Sequence, residues 1–420
     1  MTSQLHVDVL IVGGGIMGLW LAHDLHAFDR SFAVLEQNTL GGVQTCHSHV
    51  YLHQGFIYRE VELAARLRSV TARWQDWLEN RQHLVRSQSS YFGFRNGEEF
   101  EQKLALWEHP ALGLQCRVVA VSDWPAALLA GACRSSAVNI LVSTPEQSLD
   151  GHLLMKELAS GFPNSTFRID GVDRIEVTPG GVDLVARNAT YGDLRIHSRF
   201  LVLAAGAGNL PLLTTFFPER FVGKRSPQQI RKAHMMVIRG AKEDLPALNG
   251  VFGSFGGLFM VSREQGAENL WLVSDYRHSV EGHGADSGQE PWQSAVLDYL
   301  HELAPAVMEK AGRLQWDIYE APKAEGAADG KLPDEERILS VDHGVWAVWP
   351  TKLTLAPKAS AALLSHMNFT AGPAPEPGQP TSAPGERPGV ALERWALTRP
   401  RGWEEFRGGP SESRGVSNVN

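Results

Sequence analysis

Cysteine is scarce in this chain. Only three stand among 420 residues, Cys46, Cys116 and Cys133, and no two have CxxC spacing. So odd and sparse a set suits a reducing cytosol better than a disulfide framework, which makes a cytoplasmic protein the expectation. Long hydrophobic runs are missing too. No apolar stretch approaches the ~18 residues that cross a bilayer, so no stable membrane insertion is expected. Met1 to Val7 lacks the basic flank of a signal peptide. Basic residues are the minority, 39 Lys and Arg against 47 Asp and Glu, giving a formal charge of -8. That argues against a nucleic-acid surface, although one or two local arginines still suffice to bind an anionic small molecule. GxSxG, HExxH and the Walker A lysine motif are all absent, which ranks serine-hydrolase, zinc-protease and P-loop readings low. The 16 histidines are scattered; His47 and His49 merely alternate, and no metal is expected. No internal repeat is visible.

What is present is ordinary globular material, 43% hydrophobic and 20% charged, enough for a sizeable core and two or three domain-sized units. Val7 to Val12 (VDVLIV) reads as a buried parallel strand. Gly15 to Phe28 carries apolar residues at helical spacing, and Phe32 to Leu35 is a second strand, completing one βαβ unit. Residues 37 to 58 are irregular, Glu60 to Trp77 is helical, and Phe200 to Ala205 is another buried strand. Successive strands are expected at Ala233 to Arg239, Gly257 to Arg263 and Asn269 to Asp275, forming an antiparallel sheet set into an α/β framework. Trp292 to Lys310 reads as a helix, Gly344 to Trp349 as a strand and Leu355 to Met367 as a helix. Segment 371 to 388 is a Pro/Gly-rich linker with little to bury. Trp395, Trp403 and Phe406 beyond it either dock back on the body or belong to an unstructured end.

The chemistry starts at Gly13-Gly14-Gly15-Ile16-Met17-Gly18, a GxGxxG between strand and helix. Gly13 permits the tight turn, Gly15 lets a pyrophosphate approach the backbone, and Gly18 lets the helix pack on the sheet. Glu36 ends the second strand 18 residues after Gly18, where a carboxylate can accept both ribose hydroxyls, with Gln37 beside it. Residues 201 to 208 (LVLAAGAG) supply a late strand whose turn, at Ala205 and Gly206, closes over the same dinucleotide. No second GxGxxG for a nicotinamide occurs.

With these pieces in place the chain resembles the D-amino-acid-oxidase-like flavoproteins, including the glycerol-3-phosphate and L-2-hydroxyglutarate dehydrogenase branches. The matching segments are VLIVGGGIMG (9–18), VLEQ (34–37), SHVYLHQGFIY (48–58), LVLAAGAGN (201–209) and PTKLTLAP (350–357). The resemblance is poor across 80 to 145 and has no counterpart after 371. It implies an α/β fold: a Rossmann-type FAD-binding domain (1–80, 145–215, 335–370) interleaved with a substrate domain on a mixed or antiparallel sheet (81–144, 216–334), then an extension (371–420). It implies FAD as cofactor. It also implies oxidation of a C–H bond beside an amine or hydroxyl of a small amino acid, amine or 2-hydroxy acid. The hydride passes to flavin N5, and O2 or a quinone is the electron acceptor.

The resemblance further implies that the loop Thr45 to Tyr58 runs along the flavin ring, so that Cys46, His47, Ser48, His53, Gln54 and Gly55 contact it. Gly55 would let the backbone lie flat on the ring. His53 falls where one branch of the family also has a histidine, and it suits proton transfer near neutral pH. The other role for it is to shape the loop by hydrogen bonding. Cys46, His47, His49 and His53 are conceivable covalent tethers, but a non-covalent flavin is expected. Lys352, Leu353 and Thr354 precede a helix and resemble a segment that stabilises the reduced ring, although Trp349-Pro350 replaces the glycines usual there. Tyr276 and Arg277, with Arg263 on the neighbouring strand, are candidates for holding a substrate carboxylate. Two competing readings remain: a flavin monooxygenase, against which the missing late Gly-Asp motif speaks, and a non-catalytic flavin-binding partner protein.

Overall fold

A short β-branched run with glycine at its end is stable only when sheet neighbours cover both faces. In the computed structural model VDVLIV lies inside the strand Ser3–Val12, where Val9, Leu10 and Ile11 are fully buried. The structure describes residues 3–58, 60–130, 133–190, 192–253, 257–275, 289–327, 335–369 and 387–407. Ser3–Val12 pairs in parallel with Phe32–Glu36 on one side and Leu194–Leu203 on the other, Val9 facing both Phe32 and Phe200. Thr166–Arg168 and Val345–Trp349 extend the parallel set outward. Three further strands, Gly171–Thr178, Gly181–Arg187 and Arg337–Asp342, join antiparallel, giving an eight-stranded sheet. The helix Ile16–Ala27 is apolar nearly all round because it is sandwiched between this sheet and the helices Gly151–Ser160 and Ala356–His366. The parallel strands end together at Val12, Glu36, Leu203 and Trp349, the edge where open α/β sheets bind ligands.

The second sheet also has eight strands. Its order is Gln315–Gly326, Gln228–Ala241, Glu268–Asp275, Leu258–Gln265, Gly250–Phe252, Ser90–Phe94, Ile140–Thr144, Arg117–Val118. Every pairing is antiparallel except that of Gly250–Phe252 with Ser90–Phe94. The three predicted strands between 233 and 275 all form, the first much longer than expected. The stretch 80 to 145, poor in family resemblance, contributes three strands to the same sheet. The helix expected to run from Trp292 to Lys310 stops at Leu303, and Pro305–Met308 is a separate turn. Pro305 has no N–H to continue the ladder and pushes Ala304 out of the helical region, to φ -134° and ψ 61°.

Of the two alternatives for the aromatic tail, docking is the outcome across 387–407. Phe406 is fully buried and stacks on Trp316 at 5.4 Å. Trp395 is buried as well, and single bridges pair Leu40 with Val390 and Trp316 with Arg401. Most of the predicted linker lies outside the described residues. Among the described residues no helix is long and apolar enough to cross a membrane.

Candidate active site

At the carboxyl edge of the first sheet lies a cavity of about 550 Å³, with the second sheet as its far wall. Gly13 turns the chain at φ +116°, and a Cβ there would lie 2.5 Å from the Ala204 carbonyl oxygen. A Cβ on Gly18 would lie 2.0 Å from the Gly13 carbonyl oxygen, so the helix can approach only without one. Gly15 differs: its Cβ would meet only Thr45 Oγ1, at 3.6 Å, and its open side is the cavity. Gly15 caps the helix without a side chain, and the first turn holds no acidic residue. The partial positive charge of the helix end is thus left for an anion. Ile16 and Met17 line the cavity, whereas Gly18 serves only the packing.

Glu36 is fixed by accepting the Gly14 N–H at 2.7 Å and the Asn38 N–H at 2.8 Å. A carboxylate has about four acceptor positions, so capacity for hydroxyls remains on the cavity side. Gln37, Ala205 and Gly206 line the same end. This set fits a dinucleotide: a helix start with no side chain of its own at the cap, where only the Ile16 N–H is engaged, by Thr45 Oγ1 at 3.2 Å, an anchored carboxylate for a ribose, and open backbone between them.

The loop from Thr45 to Tyr58 divides against expectation. Ser48, His49, Tyr51 and His53 face the cavity. Cys46 does not. It is fully buried with Sγ toward the Ala391 carbonyl, and burial, reinforced by Glu393 and Asp150, pushes its thiol up to about 12. His47 also lies off the cavity wall, edge-on to Tyr319. Gln54 is turned away: its Nε2 donates to the Pro145 carbonyl at 2.7 Å and its Oε1 accepts from Arg68. Gly55 is required by φ +112° and by Ala64, whose backbone lies 3.0 Å from where a Cβ would sit. Its glycine identity reflects a helix contact, not a flat approach to a ring.

His53 is the centre of the site. Its backbone N–H donates to Thr354 Oγ1 at 3.0 Å, which ties the loop to the late Lys-Thr segment. Its ring sits among Tyr51, Phe259 and Tyr58, with centroids at 4.9, 5.7 and 5.8 Å. Nδ1 has no hydrogen-bond partner among the described residues. Burial, with the charges of Lys352 and Lys323, holds its pKa down to about 3, so the imidazole is neutral. Lys352 and Leu353 line the cavity, with Lys352 Nζ 5.6 Å from the Tyr58 ring centre. Thr354 is buried and acts on the site only through His53. Thr351 and Val50, both on the wall, hold positive φ (64° and 49°) despite β-branching, the kind of backbone outlier that gathers at ligand sites.

Arg263 is not a surface arginine and does not reach the cavity. It is buried, and its Nη2 donates to the carbonyls of His49 and Leu149, each at 2.9 Å. Tyr276 and Arg277 lie outside the described residues. The far wall instead presents Lys323 and Arg231, which sequence reasoning missed. Arg231 pairs with Glu325, Nε to Oε2 at 2.8 Å. Lys323 makes no hydrogen bond or ion pair among the described residues, and burial with its cationic neighbours Arg231 and Lys352 lowers its pKa to about 8. Nothing in QWDIYEAPKAEG marks this lysine; only the register of Gln315–Gly326 against Gln228–Ala241, which sets Lys323 opposite Arg231, brings the two together.

Residues 8–347 match a family model described as FAD dependent oxidoreductase. A probable FAD-dependent oxidoreductase from Pseudomonas aeruginosa is 25% identical over 384 residues, covering 85% of this chain and 90% of the relative. The crystal structure of an FAD dependent oxidoreductase from Pseudomonas aeruginosa superposes with a TM-score of 0.73 at 22% identity, over 94% of this chain and 99% of that one. Glycine oxidase from Geobacillus kaustophilus gives a TM-score of 0.61 at 16% identity, over 86% and 95%. An FAD-bound L-alpha-glycerophosphate oxidase from Mycoplasma pneumoniae gives 0.63 at 14%, over 87% and 95%. At these identities the superpositions speak for the fold.

Proposed function

Because the chain belongs to the FAD dependent oxidoreductase family, we propose that it oxidises a C–H bond beside an amine or hydroxyl of a small anionic substrate, an amino acid or 2-hydroxy acid. It is an enzyme, and FAD is its cofactor. In this reading Gly13, Gly15, Ile16 and Met17 hold the pyrophosphate, Glu36 and Gln37 the adenosine ribose, and Ala205 and Gly206 the opposite side. The first sheet then carries the cofactor, and the second carries the substrate. When bound, FAD supplies the two-electron acceptor that takes the substrate's hydride.

The observation that carries the reading is one cavity holding the dinucleotide turn, a neutral histidine with a free ring nitrogen, and the two cations Lys323 and Lys352. Lys323 pairs with the substrate carboxylate. His53 accepts the proton from the substrate hydroxyl or ammonium. The two roles are coupled: burial and then the cations depress His53 basicity, so a carboxylate that neutralises the cations relieves their part of it where the proton must be taken up. Lys352 contributes positive charge at the same end of the cavity. A titration of the yellow protein without oxygen, against amino acids, 2-hydroxy acids and the matching amides, tests this. Bleaching of the visible absorbance by the acids and not by their amides is expected. Bleaching by NAD(P)H alone would favour a monooxygenase and sink the proposal. Mixing the bleached protein with O2 or a quinone then identifies the acceptor.

A further inference from the structure

Two buried charges lie outside the machinery described above, one within and one just past the stretch that resembles the family least. Glu146 follows the strand Ile140–Thr144; Lys103 sits on the helix Gly97–Trp107. Each is about 1% exposed. Glu146 Oε1 accepts the Gln54 N–H at 2.7 Å, and Oε2 accepts the Tyr51 hydroxyl at 3.0 Å. Lys103 Nζ donates to the carbonyls of Tyr58, Ile57 and Phe56 at 2.8, 3.1 and 3.3 Å. His53 lies between the two groups that Glu146 holds, and the acceptors of Lys103 follow directly after. The carboxylate takes donors at positions 51 and 54, and the ammonium takes acceptors from 56 to 58. Resting on the reading of His53 given above, we propose that Glu146 and Lys103 are positioning residues that grip the loop around His53 and just after it, and that the protonation of Glu146 sets how firmly it is held.

A buried charge is retained only where groups of the opposite polarity satisfy it. Here the polar groups are mainly the loop's own backbone. Trp107 Nε1 adds a second donor to the Phe56 carbonyl, at 3.0 Å. The titratable and charged groups around Glu146 are Tyr51 on the loop, with His53 behind its ring, and Lys103 on the helix. Arg68 of Val61–Leu78 reaches Gln54. Burial outweighs the hydrogen bonds from Gln54, Tyr51 and Phe56 and the charge of Lys103, and brings the Glu146 carboxyl up to about 7. Protonated, Glu146 is fully satisfied: Oε1 still accepts from Gln54, and its own O–H donates to the Tyr51 oxygen. Ionised, it is a buried charge that gains from water. Opening the loop admits that water, so the grip is complete below the ordinary glutamate range and is lost as pH rises through about 7.

Hydrogen–deuterium exchange of the FAD-loaded enzyme tests this without any substrate. After correction for intrinsic rates, amide protection over 53–58 should fall about tenfold between roughly pH 6 and pH 8.5, as linkage to one proton requires. Protection in Ser3–Val12 should not move. In Glu146→Gln the amide oxygen accepts from Gln54 and the NH2 donates to Tyr51, mimicking the protonated acid; the loop should stay protected across the range. Glu146→Ala should lose protection at every pH while keeping bound FAD. Wild-type protection that is independent of pH would overturn the proposal, and so would a Glu146→Gln profile that tracks wild type. The wild-type profile decides even where a variant does not fold. Should no acid bleach the flavin, the functional reading fails while this exchange result stands.

Discussion

In the proposed reading Gly15 is the residue on which cofactor binding turns. Its missing Cβ opens onto the cavity and not into protein, so Gly15→Val should fold and yet purify colourless. A yellow, folded variant would contradict the assignment. His53→Ala should keep FAD but reduce it at least ~100-fold more slowly with the true substrate, the low end of what general-base help contributes. Stopped-flow reduction of the FAD-saturated variant measures this, and a rate within a few-fold of wild type ends the base role. Lys323→Met should raise KM for an acid substrate roughly 10- to 100-fold, the worth of one charge-assisted hydrogen bond; an unchanged KM would remove Lys323 from the substrate site. The flavin should come off in acid: Cys46 is turned out of the cavity, with its thiol held protonated. A yellow pellet would point to attachment. The local geometry at the glycines and Glu36 was legible because each is set by its own backbone and its immediate neighbours. Cys46, Gln54 and Gly55 were misread because facing a cavity or a helix is decided by what packs on the other side.

At the scale of elements, strand and helix identities followed from apolar periodicity, and most bounds were right to within a few residues. The loop did not yield so easily, since it has no period and takes its shape from remote groups. One of these is Arg263 on Leu258–Gln265, which donates to the His49 and Leu149 carbonyls and faces Glu393 at 3.7 Å. Arg263→Met should cost about 3–5 kcal/mol, because it strands a buried carboxylate and two carbonyls. Urea denaturation would measure the loss, and an unchanged midpoint would show the pairing to be dispensable. The histidines of the same loop predict an acid limb. His53 and His47 are held at about 3 and about 4, below the ordinary imidazole value, so the unfolded chain binds protons the folded one refuses. Stability should therefore fall as pH drops from about 6.5 toward 3, and more gently in His53→Gln. Thermal melts across that range would reveal it; identical slopes in the two proteins would refute it.

Across the whole molecule, two sheets share one cavity, and residues 387–407 tie them together. Arg239 of the second sheet donates to the Trp395 carbonyl, and the Arg394 N–H donates to the Cys46 carbonyl in the loop lining the cofactor site. Composition alone could not place this segment, because its aromatics suit a docked end and a loose one equally. A chain ending at residue 386 should bind FAD more weakly, which flavin fluorescence quenching would measure; an equal affinity would show the tie to be ornamental. The tie also sets an order of events during synthesis. The glycine turn leaves the ribosome well before this segment, and the Ala391 carbonyl that backs Cys46 emerges 345 residues after Cys46 itself. Until then the wall at Leu40 to Cys46 lacks the backbone pairing of Leu40 with Gly389 and Ala391, so the enzyme should acquire its flavin only after residues 387–407 have been synthesised.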